Sequence, residues 1–196
     1  TIGSRRLGPL LSRYQKEYPK TDVEIILESE NNLIKRLQTE VLDLVISAPV
    51  QSLESVFPNS AFTCHALYKE RYGVVFPRSH RFSKMKKMSL QDIQSEPYLD
   101  RLNCELREAL KAICSEREVN LCAIYRSNSE DWILHMVRDG MGVAIMPEYS
   151  MPAHAEDLGF HYVDDPPLTR EVLAIMPSKK TMKGELKPLL ALLGSA

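Results

Sequence analysis

Apolar residues near the start of the chain recur with the spacing of an amphipathic helix. They lie at i, i+3, i+4 and i+7, and they are Leu7, Leu10, Leu11, Tyr14 and Tyr18. A proline disfavours helical geometry in the residue before it, so the helix is predicted to end before Pro19. The opening "TIGS" is predicted to be the end of a strand that leads into this helix.

The next segments alternate between strand and helix patterns. Residues 22–28, "DVEIILE", alternate apolar and polar positions and predict a strand. Asn31 or Asn32 is placed to cap a helix that carries Leu33 to Val41, and "LDLVIS" at 42–47 predicts a buried strand. Strands that alternate with helices indicate βαβ units and a parallel sheet.

From Phe62 onward the chain becomes richer in strand patterns. "FTCHALYKERYGVVFP" predicts a long strand-rich stretch, and a basic segment, "PRSHRFSKMKKMS", follows and is interpreted as a solvated loop. The later segments predict a helix, a strand, a helix, a strand and a last helix. These are "ELREALKAICSERE", "CAIYRSN", "SNSEDWILHMVRDG", "REVLAIMP" and "GELKPLLALL". In the second of these helices, Ser127 with Glu130 and Asn128 with Asp131 are two equivalent capping-box frames.

The segment "MVRDGMGVAIMP" at 136–147 has two glycines in three positions, which suggests a phosphate-binding loop at first sight. Such a loop needs a strand before its glycines and a helix after them. Here a helical pattern precedes Gly140 and a short β-branched run follows Gly142. The pattern therefore favours a glycine that ends a helix, followed by a buried strand. Trp132 and the methionines at 136, 141 and 146 are interpreted as core residues.

Charge and composition narrow the possible functions. The 196 residues carry 25 basic and 26 acidic side chains, so the net charge of −1 gives no electrostatic signature of direct DNA binding. No apolar run approaches the roughly 20 residues that cross a bilayer, and the N-terminus resembles no signal peptide. The chain does not start with methionine, so we expect a fragment of a longer protein. The four cysteines form no C-x-x-C pair, and reduced thiols in a cytoplasm are expected.

In their order and spacing, several segments resemble the effector-binding domain of LysR-type transcriptional regulators. They are "IGS" followed by "LLSRYQKEYP", "LQTEVLDLVIS" with Asp43, "LYKERYGVVFPRSHRF" leading to "SLQDIQSEPYL", "MVRDGMGVAIMP" and "REVLAIMP". The resemblance covers essentially the whole chain. It departs from the family pattern at Glu40, where the family usually has a glycine at the end of a helix.

The resemblance implies an α/β fold like that of type 2 periplasmic binding proteins. Two Rossmann-like lobes would be joined by two crossover strands, with a ligand cleft between them. Lobe I would comprise residues 1–73 and 169–196, and lobe II residues 74–168. A winged helix-turn-helix DNA-binding domain would precede Thr1, and promoter DNA would be bound only through it. The family also implies antiparallel homodimers, in which the helix from Leu7 to Tyr18 meets a partner's second lobe, and tetramers of the full-length protein.

Helix N-termini at the carboxyl ends of strands favour small anions, and this predicts where an effector binds. The candidate effector-binding residues share such positions in the family arrangement: Ser4, Arg5, Arg6, Ser29, Asn31, Ser47, Asp100, Arg101, Asn103 and Asn128. Two guanidinium groups could hold a carboxylate bidentately. Each residue also has a simpler interpretation, because serine, asparagine and aspartate cap helices and arginines often face solvent.

The cysteines raise an alternative function. "LNCELREALKAIC" places Cys104 in the first turn of a predicted helix between Arg101 and Arg107, where its pKa would be lowered. The segment is similar to peroxide-sensing members of the family, which would make Cys114 a redox partner. Ten positions span about 15 Å in an unbroken helix, so a disulfide would require the helix to unfold. Inert thiols are the alternative interpretation of both residues.

No catalytic residue, metal site or cofactor is predicted. The H-E-x-x-H, G-x-S-x-G and Walker A patterns do not occur in the sequence, and the five histidines are scattered. "LTRE" at 168–171 departs from the Thr-Arg-Phe mark of prephenate dehydratases, which have a similar lobed fold. The leading hypothesis is a non-catalytic, cytoplasmic sensor of a small anionic metabolite that controls transcription. The alternatives are a thiol-based peroxide sensor and a solute-binding protein of a transporter, which would need an export signal; no membrane partner is expected.

Overall fold

The computed structural model describes residues 2–49, 62–102, 104–178 and 184–194. By its internal contacts the chain divides into two units, residues 1–69 with 171–196 and residues 70–170. Two long strands, β2 (Phe62–Pro77) and β8 (Thr169–Pro177), each continue from one unit into the other.

Among its described residues, the first unit contains three helices and one short strand besides its parts of β2 and β8. They are α1 (Ser4–Glu17), α2 (Glu30–Gln38), β1 (Val45–Ser47) and α6 (Leu186–Gly194). Helix α1 packs on α6, and the Tyr14 hydroxyl donates a hydrogen bond to the Glu185 carbonyl at 2.8 Å. A second core joins the apolar face of α2 to β1 and β8 through Ile34, Leu37 and Ile175.

The second unit alternates short strands with helices. Its elements, besides parts of β2 and β8, are β3 (Met88–Ser89), α3 (Leu90–Gln94), β4 (Tyr98–Arg101), α4 (Arg107–Glu116), β5 (Ala123–Ser127), α5 (Glu130–Arg138), β6 (Ala144–Pro147) and β7 (Leu158–Asp165). Two 3₁₀ turns, Arg81–Lys84 and Glu148–Ser150, complete it.

Alternate residues of β2 and β6 face two separate cores in the second unit. Val74 and Ile145 belong to one buried cluster, whereas Val75 and Ala144 belong to the other. Successive side chains of a strand point to opposite faces, so both faces of this sheet are covered. Burying a side chain such as Phe76 contributes about 1.5–3 kcal/mol to folding.

The sheets are mixed, whereas the alternation of elements predicted a parallel sheet. β3 runs parallel to β7 and β4 runs parallel to β5, but β1 is antiparallel to β8, and β2 is antiparallel to β6 and β7. The hydrophobic pattern along the chain shows that strands and helices alternate locally. It does not show in which direction the connecting strands β2 and β8 run.

The glycine segment at 136–147 forms the predicted helix, turn and buried strand. Gly140 has a φ of +76°, and its N–H donates to the Val137 carbonyl while the Met141 N–H donates to the Met136 carbonyl. This is the left-handed helix ending in which glycine is favoured. At Gly142, a Cβ would lie 2.4 Å from the Pro97 carbonyl oxygen, so only glycine fits there.

Several predicted element boundaries are wrong. Residues 22–28 form no strand, and Val23, Ile25 and Leu27 are exposed, because no described strand lies beside this segment. No strand is described at residues 2 and 3 either. Helix α2 is capped at Ser29 instead of at Asn31 or Asn32, and β1 is shorter than the predicted 42–47.

Two further predictions in the second unit need correction. The cap of α5 is Ser129, whose hydroxyl accepts from the Trp132 N–H at 3.3 Å, so neither predicted capping-box frame is the one used. Trp132 itself is 67% exposed and not a core residue, although Met146 is buried as predicted. The helical pattern identified the buried stripe through Ile133 and Val137, and Trp132 falls outside it.

Candidate functional site

The carboxyl ends of β4 and β5 carry candidate residues side by side in the second unit. The two strands are parallel, with Asp100 opposite Arg126 and Arg101 opposite Ser127. The Leu102 N–H donates to the Ser127 carbonyl at 2.9 Å, which ties the turn after β4 to the end of β5. Ligands of open α/β sheets bind outside the carboxyl ends of such strands.

Arg101 is the central charged group of this edge, and it is 4% exposed. Its Nη1 donates to Glu130 Oε1 at 2.6 Å, and its Nη2 donates to Cys104 Sγ at 3.1 Å. The Ser150 hydroxyl donates to the same Glu130 oxygen at 3.0 Å. Arg101 Nε is buried and has no hydrogen-bond partner among the described residues. The guanidinium group is thus partly satisfied by the protein itself.

A second buried ionic cluster lies next to it. Arg170 donates from Nε to Glu70 Oε1 at 2.7 Å, and its Nη1 donates to Glu105. The Tyr72 hydroxyl also donates to Glu105, and Glu105 lies 3.9 Å from Arg101 Nη2. The cluster therefore connects the turn before α4 to residues on β2 and β8.

Burial and ion pairing set the pKa values in this cluster. Burial alone would raise the pKa of Glu105, but Arg170 and Arg101 beside it lower that pKa to about 2. Burial raises the pKa of Glu70, and Arg170 offsets only part of this effect. Burial and the neighbouring Glu105 charge raise the pKa of Tyr72, so its hydroxyl stays protonated as a donor.

Asp100 is held by two arginines. Arg107 Nη2 donates to Asp100 Oδ2, and Arg126 Nε lies 3.8 Å from the same oxygen. Arg107 also donates to the Leu102 carbonyl at 3.2 Å. Across the whole edge, each of the four arginines at positions 101, 107, 126 and 170 contacts at least one of the four acids at 70, 100, 105 and 130.

Two other candidate effector-binding residues belong to the second unit. Asn128 is exposed and directly precedes Ser129, the cap of α5. Asn103 lies outside the described residues. The structure thus brings Asp100 and Arg101 to one strand edge, and Asn128 to the start of the next helix.

Three candidates of the first unit lie in the first turn of α1. The cap of this helix is Gly3, so Ser4 is its first helical residue. Arg5 is exposed, and the guanidinium of Arg6 lies over the Tyr68 ring at 4.8 Å. The interpretation of Ser4 as a cap is therefore wrong, because Gly3 already has the extended backbone of that position.

The remaining candidates of the first unit surround the start of α2. Ser29 is the cap residue by its backbone, and its side chain makes no capping hydrogen bond. Asn31 is exposed in the first turn, and the Ser47 hydroxyl donates to Glu30. Ser47 therefore has a partner within the protein, whereas Ser29 and Asn31 present polar side chains to solvent.

Cys104 does not have the environment that the sequence predicted. Helix α4 begins at Arg107, so Cys104 lies in the preceding turn and not at a helix N-terminus. Burial raises the pKa of the Cys104 thiol, and the Arg101 charge offsets this only in part. Burial also raises the pKa of Cys114, which lies in α4 against the core. The expected lowering of the Cys104 pKa is wrong, because the thiol is desolvated.

Sequence reasoning missed the residues that pair with the charged groups at this strand edge. Glu130 had been considered only as a capping residue, and Glu105, Ser150 and Arg170 were not considered as site residues. Their partners are distant in sequence, with Arg101 29 positions from Glu130 and Arg170 100 positions from Glu70. The one available signal was Arg170, a charged residue at the alternate positions of the strand that also carry Val172 and Ala174.

The described residues support neither a metal site nor a membrane-spanning helix. No group of three or more histidine, cysteine, aspartate or glutamate side chains is arranged to bind a metal ion in the described part of the chain. In the same residues, the helices are all too short or too polar to cross a bilayer.

The family model named LysR substrate binding domain matches residues 1–196. The chain belongs to this family. The predicted fold class is confirmed by solved structures of the family's regulatory domains. One is the reduced form of the OxyR regulatory domain from Pseudomonas aeruginosa, with a TM-score of 0.82 at 19% identity, covering 100% of this chain and 94% of that one. Another is the effector-binding domain of QuiR in complex with shikimate, with a TM-score of 0.78 at 18% identity, covering 100% and 90%.

Curated relatives are transcriptional regulators. The regulator CysL from Bacillus subtilis (strain 168) is 21% identical over 147 residues, which cover 74% of this chain and 47% of CysL. The chain spans about half the length of the curated relatives that it matches. It is therefore the effector-binding domain of a LysR-type regulator.

Proposed function

We propose that this domain is the sensing part of a bacterial transcription regulator. It binds a small anionic metabolite in the cytoplasm and performs no catalysis. It forms homodimers, and tetramers in the full-length protein, and it reaches promoter DNA only through a winged helix-turn-helix domain outside this chain. Effector binding then shifts the population of domain conformations and so changes how the DNA-binding domains are placed.

The match of the family model to residues 1–196 carries this proposal. The curated relatives support the regulatory role, since their names describe transcriptional regulators. The neutral charge of the chain supports DNA binding through another domain, because a direct DNA contact needs a basic surface. The transporter alternative has no such support from the relatives.

Two observations support an anionic effector. Arg5 is exposed in the first turn of α1, where helix N–H groups and the helix dipole favour negative charge. The QuiR domain was solved with shikimate, which carries one carboxylate. We place the effector-binding residues at Ser4, Arg5, Arg6, Ser29, Asn31, Ser47, Asp100, Arg101, Asn103 and Asn128. Arg101 is buried and already contacts Glu130, so Arg5 is the more accessible positive charge of the two.

Thermal denaturation with a panel of small organic acids tests the anionic effector. A binding acid raises the midpoint temperature of the chain, whereas its uncharged amide does not. Arg5→Ala removes most of this shift. Arg13→Ala is the matched control, because Arg13 lies on the same helix but pairs with Glu17 at 3.1 Å. Equal shifts in the two variants would remove Arg5 from the site.

A specific contact keeps peroxide sensing as a second candidate function. Arg101 Nη2 donates to Cys104 Sγ at 3.1 Å, and a cation at this distance favours the thiolate. The raised pKa of Cys104 opposes it, because a thiol that stays protonated reacts slowly with peroxide. We therefore rank thiol sensing, with Cys114 as the partner thiol, below metabolite sensing.

Labelling with a sulfenic-acid reagent after peroxide treatment separates the two candidates. If Cys104 is a sensor, labelling occurs at low peroxide concentration and is lost in Cys104→Ser. The exposed Cys122 gives the control variant, Cys122→Ser, which keeps the label of a true sensor. Labelling that depends on Cys122 alone would exclude thiol sensing through Cys104.

A further inference from the structure

Arg101 is a buried cation with only part of its donor capacity in use. Its Nη1 is bound by one carboxylate, Glu130, and its Nη2 donates to the thiol of Cys104 with Glu105 a further 3.9 Å away. Its Nε–H is buried without a partner among the described residues. A buried N–H without a partner is unfavourable, so this guanidinium has a net tendency to bind a further acceptor.

A two-donor cradle converges on the Glu130 carboxylate. Arg101 Nη1 at 2.6 Å and the Ser150 hydroxyl at 3.0 Å both donate to the single oxygen Oε1. The two donors come from the end of β4 and from the 3₁₀ turn after β6, which are elements other than the helix that carries Glu130. Their positions are those that a carboxylate of any origin would require.

We propose that Glu130 is a built-in substitute for the carboxylate of the effector. In this state its side chain occupies the cradle formed by Arg101 and Ser150, and an incoming carboxylate binds there by displacing it. This inference rests on the proposed function for the identity of the displacing ligand, but the exchange itself does not depend on that identity.

The Glu130 carboxylate has a favourable alternative position when it is displaced. It is the first residue of α5, and its side chain is 18% exposed, so a change of rotamer returns the carboxylate to water. A carboxylate in the first turn of a helix is still stabilised by the helix dipole. Exchange of one carboxylate for another also keeps a negative charge beside Arg101. A neutral ligand gains nothing from the exchange, so the cradle selects carboxylates.

Chemical rescue tests the exchange with formate and acetate as the probes. Glu130→Ala removes the carboxylate nearest to the buried Arg101 charge and leaves Glu105, 3.9 Å away, as its remaining carboxylate partner, which lowers the midpoint temperature of unfolding. Formate or acetate then fills the vacated position, and we expect it to recover at least half of the lost midpoint temperature in a saturable manner. Sodium chloride at the same ionic strength recovers less. Asp131→Ala is the matched control, since it removes the same charge from the same turn without contacting Arg101.

Three outcomes decide the proposal. Carboxylate-selective rescue of Glu130→Ala and not of Asp131→Ala supports it. Equal responses of the two variants, or equal responses to chloride and acetate, overturn it. If Glu130→Ala does not fold, Glu130→Gln keeps a hydrogen-bond acceptor and replaces it, and a carboxylate-selective rise must appear in that variant.

The rescue experiment and the proposed function can fail independently of each other. Without rescue, an organic acid that still binds through Arg5 would leave the sensing role intact and exclude only the cradle. Rescue without binding of any organic acid to the wild type would support the cradle and count against the sensing role. Ser150→Ala in the Glu130→Ala background weakens the rescue if the hydroxyl is the second donor.

Discussion

At the scale of single residues, burial decides which ion pairs stabilise this protein. Two pairs occupy consecutive positions on β2 and β8. Glu70 and Arg170 are buried with 2.5 Å between Arg170 Nη2 and Glu70 Oε1, whereas Lys69 Nζ and Glu171 Oε1 are 3.9 Å apart and exposed. Exposed pairs contribute about 0–1 kcal/mol, but breaking a buried pair leaves an uncompensated charge.

We expect Arg170→Met to lower the free energy of unfolding by about 3–5 kcal/mol, because Glu70 and Glu105 lose their shared cation. Lys69→Met, the neighbouring control, changes it by less than about 1 kcal/mol. Urea denaturation followed by circular dichroism measures both values. Similar losses in the two variants would contradict the assigned role of burial.

Glu105 gives the fold a defined acid sensitivity. Arg170 and Arg101 outweigh its burial and lower its pKa to about 2 in the folded state, from an ordinary value of 4.5. A group with a lowered folded pKa stabilises fully above its unfolded pKa, and this contribution is lost as pH falls from about 4.5 to 2. The full contribution is on the order of 3 kcal/mol.

We therefore expect Glu105→Gln to destabilise the protein near neutral pH and to lose less stability than wild type on acidification. Glu108→Gln is the control on α4, since Glu108 is exposed and forms a surface ion pair with Lys111. Urea midpoints between pH 5 and pH 3 measure the difference. If the urea midpoint of Glu105→Gln fell with pH as steeply as that of wild type, groups other than Glu105 would govern the acid response.

The sequence indicated individual residues only where a local pattern marks them. Asp100 and Arg101 were identified because they precede a predicted helix start. Glu130 and Arg170 were missed as site residues because their partners come from other elements, and periodicity carries no information on such pairs. For the same reason the pKa of Cys104 was expected to be lowered, although its thiol packs against a core and burial raises that pKa.

At the scale of elements, three helices end in the same left-handed turn. After α2, α4 and α5 the left-handed residue is Glu40 (φ +59°), Glu118 (φ +55°) and Gly140 (φ +76°). After α2, the Glu40 N–H donates to the Leu37 carbonyl and the Val41 N–H to the Arg36 carbonyl. This ending favours glycine, and the sequence resemblance had already marked Glu40 as a departure from glycine.

We expect Glu40→Gly to raise the free energy of unfolding by about 0.5–1 kcal/mol, because it removes the steric cost of a left-handed side chain. Gly140→Ala lowers it by a similar amount, since open space around Gly140 leaves backbone strain as the only cost. Thermal unfolding of both variants measures these two opposite changes in stability. A destabilised Glu40→Gly would show that the Glu40 side chain makes a contact worth more than the strain.

Helices were the elements that the sequence predicted best. The stripe of Ile133 and Val137 and the stop at Gly140 were both confirmed, because an amphipathic face and a left-handed cap are local signals. Strands were predicted less well. Residues 22–28 alternate correctly but pair with no described strand, because pairing depends on a neighbour that the segment does not encode.

At the scale of the whole molecule, the order of elements was sufficient to indicate the family. The matched segments are individually short, but their sequence from α1 through "REVLAIMP" at 170–177 is specific, and the family model confirms it over the full chain. The ligand is not encoded in this order, because it depends on which side chains remain available after the protein has satisfied its own charges. Arg101 and its carboxylate partners are the clearest example.

Self-association is the first prediction at this scale. Trp132 on α5 is 67% exposed, and aromatic residues are enriched at protein interfaces relative to the rest of the surface. We expect a dimer in size-exclusion chromatography with light scattering, and a shift toward monomer in Trp132→Glu. Val41→Glu, at a similarly exposed apolar position, is the control. A concentration-independent wild-type monomer would contradict the proposed dimer.

Titration calorimetry of the purified chain with small organic acids is the most direct test of the sensing role. The account predicts saturable binding of one carboxylate ligand per chain, no binding of its amide, and weaker binding by Arg5→Ala than by Arg13→Ala. A folded chain that gives no saturable heat with any acid of the panel would contradict it.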